Sequence, residues 1–174
     1  ALWISHPLHG GVGDARLALE AFRGHVSLDG ADFEAVRTAM EQPQPRVALG
    51  LGLRGLASAA IDVSDGLVGD LGHILERSQV GALLNVDALP RSEVMAAQPE
   101  ARQLECTLAG GDDYELCFTA PAGTRDAVAA IGARLGLPLT RVGAITPEPG
   151  LRLVNEDGNP SAYSGSSFDH FASS

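Results

Sequence analysis

Residues 57–67 have the sequence ASAAIDVSDGL, in which small and apolar side chains lead directly into two acids. The short apolar run over 57–63 predicts a strand. From Asp65 onward the apolar residues follow a 3.6-residue period, which predicts an amphipathic helix over 65–78. The apolar stripe of that helix consists of Leu67, Leu71, Ile74 and Leu75. The stretch therefore predicts a strand that passes through a short acidic turn into a helix.

The turn between this strand and this helix carries Asp62, Ser64 and Asp65. Strand alternation places Asp62 and Ser64 on one side, and Asp65 is predicted to cap the helix. A helix N-terminus attracts phosphate, but carboxylates repel it unless a hard cation such as Mg²⁺ lies between them. The alternative is an ordinary helix start in which Ser64 and Asp65 act only as caps. Capping does not explain Asp62, so a site for a cation and a phosphate remains an alternative to the ordinary helix start.

A second acidic stretch, GGDDYE, occupies residues 110–115 directly before the apolar segment 116–118. The glycine pair allows unusual backbone angles or the close approach of a ligand. A polar turn that leads into a strand is one interpretation, because Gly and Asp are common turn residues. A surface that binds a cation or another ligand is the other, since a buried strand rarely needs three flanking acids.

The rest of the sequence alternates between strand and helix patterns, which predicts an α+β or α/β layer architecture. Gln42-Pro43-Gln44-Pro45 interrupts the pattern and is the candidate internal boundary. Strands are predicted over 1–5, 81–86, 114–120 and 139–146, and helices over 14–22, 32–41, 91–98 and 124–135. Residues 151–155 with the turn at 157–158 predict a hairpin.

Composition excludes several kinds of chemistry. The 174 residues contain 22 acids and 12 arginines but no lysine, so the formal net charge is −10. A P-loop lysine and a lysine Schiff base are therefore impossible within this sequence, and an acidic surface argues against nucleic-acid binding. Cys106 and Cys117 are expected to be buried thiols in a reducing cytoplasm. No apolar run reaches the length of a membrane helix, and no export leader is evident, so we expect a cytoplasmic protein without membrane association.

Six blocks of the sequence together resemble the thiamine-monophosphate kinase family. They are residues 45–50, 57–67, 70–75, 89–90, 110–116 and 168–171, in the order and at the spacing of that family. The resemblance implies the C-terminal domain of the aminoimidazole ribonucleotide synthetase-like (PurM-like) fold, an α+β domain with a mixed sheet packed with helices. It implies that residues 1–42 are a strand, loop and helices leading out of an absent N-terminal domain. Residues 43–174 are then the C-terminal PurM-like domain.

The same resemblance implies an activity and its partners. The family phosphorylates thiamine phosphate to thiamine diphosphate in thiamine biosynthesis, with ATP as co-substrate and Mg²⁺ as cofactor. The full-length enzyme is expected to be a homodimer through its N-terminal domain, and this chain alone is expected to be inactive.

Individual residues also match the family's binding positions. Asp62 and Asp65 match magnesium ligands, Ser64 matches an ATP contact, and Asp112 and Phe168 match contacts to the substrate. No residue is expected to act as a catalytic nucleophile. Asp112 stands where the family often has the longer glutamate, Ser167 stands where glycine commonly precedes the aromatic residue, and the loop at 5–11 departs from the family pattern.

Two other functions remain open. The chain could be a domain that binds a ligand or partner without catalysis, or part of a related kinase or synthetase that acts on another small molecule. The sequence upstream of Ala1 would distinguish a non-catalytic binding domain from part of the enzyme. A panel of acceptors would distinguish a related kinase or synthetase from a thiamine-phosphate kinase.

Overall fold

The computed structural model of the chain describes residues 1–161 and 163, in which a mixed six-stranded sheet forms the centre. Phe168 and the segment 168–171 lie outside the described residues. The strands are β1 (Leu2–Ser5), β2 (Ala59–Asp62), β3 (Gly81–Asn85), β4 (Leu116–Thr119), β5 (Leu139–Thr146) and β6 (Gly150–Val154). Their order across the sheet is β2-β4-β1-β5-β3-β6. All neighbouring pairs are antiparallel except β3 and β6, which are parallel.

Helices lie on both faces of this sheet. They are α1 (Asp14–Phe22), α2 (Gly30–Glu41), α3 (Val47–Gly52), α4 (Leu67–Ser78), α5 (Glu93–Ala96), α6 (Glu100–Ala109) and α7 (Arg125–Leu135). Short 3₁₀ turns occur at Val86–Ala88 and Ala122–Thr124. The predicted α+β class, with a mixed sheet packed with helices, is confirmed. Among the described residues, none of these helices is both long and apolar enough to cross a bilayer.

Alternation along β1 divides the core between the two faces of the sheet. Leu2 and Ile4 belong to a cluster formed with α4 and α6, whereas Trp3 belongs to a cluster formed with α3 and α7. This follows from the two-residue period of a strand, which sends successive side chains to opposite faces. Trp3 pairs with Phe118 of β4, and their rings stack with centroids 6.4 Å apart. A third cluster joins α1, α2, α5 and α6 beside the sheet.

The sequence located some elements well and others poorly. The predicted helix at 14–22 and the strand at 139–146 coincide with α1 and β5. The helix predicted over 91–98 is only the short α5, and α6 was not predicted at all. Its sequence is largely polar, and only its buried face, Leu104, Cys106, Thr107 and Leu108, packs inward.

The segment 151–155 and the turn after it fold back as the hairpin prediction expects: Val154 forms an antiparallel bridge with Pro160, and Asn155 N–H donates to Asn159 C=O at 2.9 Å. The prediction did not include the other partner of Gly150–Val154 (β6), which pairs in parallel with β3. The division into residues 1–42 and 43–174 stays a prediction. β1, from the first of these segments, lies between β4 and β5 inside the sheet.

Phe118 gives a direct test of the core on the α3 and α7 face. Its side chain is fully buried, and replacing it with alanine removes both apolar burial and the stack on Trp3. We expect Phe118→Ala to lower the free energy of unfolding by about 3–5 kcal/mol, measured by urea denaturation followed by circular dichroism. Phe22→Ala is the matched control, because Phe22 is 74% exposed; its effect should stay within about 0.5 kcal/mol. Equal effects from the two variants would contradict this packing.

Candidate functional site

The two acidic stretches, far apart in the sequence, lie against each other in the structure. The β2–β4 pairing ends where Asp62 faces Leu116, and the backbone contacts continue beyond it. Val63 N–H donates to Glu115 C=O at 2.9 Å, and Tyr114 N–H donates to Val63 C=O at 2.9 Å. Asp112 N–H then donates to the carbonyl of Ser64 at 3.0 Å. The turn after β2 and the loop before β4 therefore form one surface.

Glycine is required where these two segments meet. A Cβ atom on Gly111 would lie 2.2 Å from the carbonyl oxygen of Ser64, which is inside van der Waals contact. A Cβ on Gly66 would lie 2.9 Å from the backbone of Ala109, and Gly66 also has a φ of +116°. Both positions exclude a side chain because backbone occupies the space. At Gly111, where the sequence predicts either unusual backbone angles or the approach of a ligand, neighbouring backbone fills the space.

The helix after the turn begins later than predicted. α4 starts at Leu67 with Gly66 at the N-cap position, so the prediction that Asp65 occupies this cap was wrong. Gly66 has no side chain to accept from the N–H groups of the first turn of α4. The N–H groups just before the cap have a different partner: Asp70 reaches back from α4, and its Oδ2 accepts from Ser64 N–H at 2.8 Å and from Asp65 N–H at 3.1 Å.

Asp70 is only 3% exposed, and burial raises its pKa. The two backbone hydrogen bonds oppose that rise in pKa, and the negative charges of Asp65 and Asp62 add to it. These three carboxylates therefore occupy a common electrostatic environment at the start of α4.

The side chains of residues 112–115 are alternately exposed and buried. Asp112 and Tyr114 are exposed, and both have the left-handed backbone conformation, with φ of +68° and +52°. This conformation is uncommon for a residue with a side chain and costs of order 1–3 kcal/mol. Asp113 and Glu115 are buried. Of the three acids predicted to form a binding surface, only Asp112 is exposed.

The two buried acids tie the loop to other parts of the fold. Both carboxylate oxygens of Asp113 accept from Gly13 N–H, at 2.8 and 3.0 Å, directly before α1. Burial raises the pKa of Asp113 well above its usual range. Glu115 forms a two-pronged ion pair with Arg46 and accepts from the hydroxyl of Ser5. Because both carboxylates are buried and bonded to other parts of the fold, Asp113 and Glu115 have structural roles.

The exposed side of the loop is strongly negative. The Tyr114 hydroxyl lies 3.5 Å from Asp112 Oδ1, and the charge of Asp112 raises the pKa of Tyr114. Asp62 and Asp65 lie close enough to raise this pKa further. The structure therefore brings Asp62, Ser64, Asp65 and Asp112 to one surface, while Phe168 lies outside the described residues. Their roles as ligands stay predictions.

The donor set of this surface suits a hard cation that shares its ligands with phosphate. Within residues 1–161 and 163, no group of three or more His, Cys, Asp or Glu side chains is arranged to hold a metal ion alone. Mg²⁺ commonly uses only one or two protein carboxylates and completes its shell with water and phosphate oxygens. Asp70 already takes the N–H groups of Ser64 and Asp65. These two N–H groups are therefore not open to a phosphate, and the nearby carboxylates would repel it unless a cation bridges them.

A cavity of about 560 Å³ lies elsewhere, among the loop at 7–11, α2 and α3. Its lining includes Asp14, Arg46, Asp113 and Glu115. It does not include Asp62, Ser64, Asp65 or Asp112. The three carboxylates in this lining are already bonded: Asp14 accepts from Gly11 N–H and from the Ser92 hydroxyl, and the other two have the partners given above. Asp62, Ser64, Asp65 and Asp112 therefore lie outside this cavity.

Sequence reasoning missed two residues at this surface. Asp70 gave only the weak signal of an acid in the first turn of a helix, and its reach back to the preceding turn depends on the tertiary arrangement. Tyr114 gave the signal of an aromatic residue between acids, but the predicted strand over 114–120 placed it inside the sheet. The strand begins two residues later, at Leu116.

Comparison with known proteins agrees with this architecture. The thiamine-monophosphate kinase of Salmonella typhimurium is 46% identical over 133 residues, which are 75% of this chain and 41% of that protein. The crystal structure of thiamine-monophosphate kinase from Stenotrophomonas maltophilia K279a superposes with a TM-score of 0.80 at 43% identity, over 92% of this chain and 50% of that one. The structure of AaThiL complexed with AMPPCP and TMP superposes with a TM-score of 0.71 at 25% identity, over 95% and 50% of the two chains.

The chain thus spans about half the length of the relatives it matches. The predicted resemblance to the thiamine-monophosphate kinases is confirmed. The family model described as AIR synthase related protein, C-terminal domain, matches residues 8–155. The chain therefore belongs to this family of AIR synthase related C-terminal domains.

Proposed function

We propose that this chain forms about half of a thiamine-monophosphate kinase, which transfers the γ-phosphoryl group of ATP to thiamine phosphate and yields thiamine diphosphate. The observation that carries the proposal is the 46% identity to a kinase of this name over a segment that includes most of this chain. The complex of AaThiL with AMPPCP and TMP supports the same pair of ligands, an ATP analogue and thiamine phosphate. The joined acidic surface is where we expect these ligands to meet this chain.

The chemical difficulty of this reaction is the meeting of two polyanions. The attacking group is a phosphate oxygen that is already anionic, so the proposal requires no nucleophile and little or no general base from the protein. When bound, Mg²⁺ neutralises phosphate charge and aligns donor and acceptor. Asp62 and Asp65 would hold it, since their carboxylates lie at the turn whose Ser64 and Asp65 N–H groups donate to Asp70. The hydroxyl of Ser64 would contact ATP.

The other end of the substrate is an organic cation. Asp112 is exposed at the same surface and would face the cationic rings of thiamine, with Tyr114 next to it. Phe168 would contact a ring of the substrate, as the resemblance implies. The left-handed backbone at Asp112 directs the loop outward at this point, so its carboxylate remains in solvent while Asp113 is buried.

The proposal extends to compartment and assembly. Cys106 and Cys117 are buried free thiols, and burial raises the pKa of each to about 12, so both are inert. This agrees with a cytoplasmic enzyme of thiamine biosynthesis. The full-length enzyme would be a homodimer through its N-terminal domain, and neither nucleic acid nor membrane takes part in the proposed reaction.

The first prediction concerns the 174-residue chain by itself. We expect no formation of thiamine diphosphate above the no-protein background when the chain is mixed with ATP, Mg²⁺ and thiamine phosphate, because its relatives use about twice this length. Product is measured by chromatography after oxidation to the fluorescent thiochrome derivative. Turnover at the level of a full-length relative would contradict the proposal that the chain supplies only part of the site.

The second prediction concerns Asp62 in an active setting. A chimaera carries residues 1–174 in place of the matching half of the Stenotrophomonas maltophilia relative, and we expect it to form thiamine diphosphate. Asp62→Asn should lower its turnover on the order of 100-fold, the usual loss when one stabiliser of transition-state charge is removed.

The control for this experiment is Asp126→Asn, which removes an exposed acid from the first turn of α7. It should leave turnover within about two-fold of the parent chimaera. Unchanged turnover in Asp62→Asn at saturating Mg²⁺ would exclude Asp62 as a ligand. A chimaera that phosphorylates other small molecules but not thiamine phosphate would favour the related kinase instead.

A further inference from the structure

Asp70 is an acid in a position where an acid is costly. Its side chain is 3% exposed, and the carboxylates of Asp62 and Asp65 lie nearby. Burial of a carboxylate next to like charges destabilises a fold unless hydrogen bonds compensate for it. At Asp70 the compensation comes from two backbone donors, Ser64 N–H and Asp65 N–H, which share the single oxygen Oδ2.

Backbone hydrogen bonds hold one side of the acidic turn to the loop before β4, and Asp70 holds the end that leads into α4. Gly66 occupies the N-cap position of α4, and the backbone of Ala109 excludes a larger residue there. The link between the helix and the N–H groups of Ser64 and Asp65 is therefore made by Asp70, from inside the first turn of α4. Asp70 is already fixed by the helix, where its own N–H donates to Gly66 C=O at 3.0 Å. Its carboxylate thus links a rigid helical turn to the segment that carries Asp62 and Asp65.

We propose that Asp70 is a positioning residue, which fixes the turn so that the carboxylates of Asp62 and Asp65 meet on one divalent cation. This inference rests on the proposed function of the same site. In this proposal Asp70 acts through the turn and is not a ligand, because its Oδ2 accepts from the backbone N–H groups of Ser64 and Asp65. Groups that orient metal ligands in this way commonly alter metal affinity by 10–100-fold when they are removed.

Two substitutions separate the position of the carboxylate from its charge. Asp70→Ala removes the acceptor for both N–H groups. Asp70→Asn keeps a carbonyl oxygen of nearly the same reach but removes the negative charge. A role limited to local charge predicts that both variants lose cation affinity equally, whereas a positioning role predicts that Asp70→Asn retains most of it.

The test uses the 174-residue chain and Mn²⁺ as a paramagnetic probe. In ¹H–¹⁵N NMR spectra, Mn²⁺ broadens amide signals near its site, and a titration gives a midpoint concentration for Ser64 and Asp65. We expect this midpoint to rise about ten-fold in Asp70→Ala, with both amide protons shifted upfield in the metal-free state. In Asp70→Asn both amide signals should keep their positions, and the midpoint should rise less than three-fold. Asp126→Ala, which removes an exposed acid from the opposite face of the sheet, should match the parent chain.

The outcomes distinguish this inference from the function on which it rests. One outcome is that Asp62→Asn abolishes the broadening while Asp70→Ala raises the midpoint less than five-fold. That result would overturn the role of Asp70 and leave the cation site in place. No broadening around residues 62–65 in the folded parent chain would overturn the cation site itself. If Asp70→Ala lacks a folded circular dichroism spectrum, Asp70→Gln takes its place, since the extra methylene displaces the acceptor oxygen, and the same five-fold limit applies.

Discussion

Backbone hydrogen bonds between the turn after β2 and the loop before β4 hold the candidate site together. They join Val63 to both Glu115 and Tyr114, and Asp112 to Ser64, and so continue the sheet beyond the last paired residues. The contact is possible only because Gly111 has no Cβ where the carbonyl of Ser64 lies. One steric requirement therefore decides whether two acidic segments, separated by α4, β3, α5 and α6 in the sequence, form a single surface.

The acids at this surface serve two different purposes. Asp70, Asp113 and Glu115 are buried and satisfy backbone or arginine donors, so their charge contributes to local structure. Asp62 and Asp112 are exposed and lie at the open surface. Burial with partners fixes the loops, and exposure leaves carboxylates available to a ligand. The net charge of −10 thus includes acids with structural roles as well as acids that could meet cations.

Periodicity was sufficient for much of the fold, since α1 and β5 have the bounds that their apolar patterns predict. It was insufficient for α6, whose buried face is short and partly polar, and for β6, whose parallel pairing with β3 depends on contacts distant in sequence.

At the site, the residue types indicated carboxylate chemistry near 62–65 and 110–115. They could not indicate that these segments touch, that Gly66 takes the cap position, or that Asp113 turns inward to Gly13. Each of these depends on tertiary packing, which local pattern does not contain. The two motifs could be recognised separately, but their union as one surface required the structure.

The left-handed backbone at Asp112 and Tyr114 has an evolutionary consequence. A glycine at either position would relieve strain of order 1–3 kcal/mol, so mutation toward stability runs against keeping these side chains. A lineage that lost the need for this surface would be free to accept glycine at 112 or 114. Among related sequences, the persistence of non-glycine residues at these two positions would therefore be a record of selection on the site rather than on the fold.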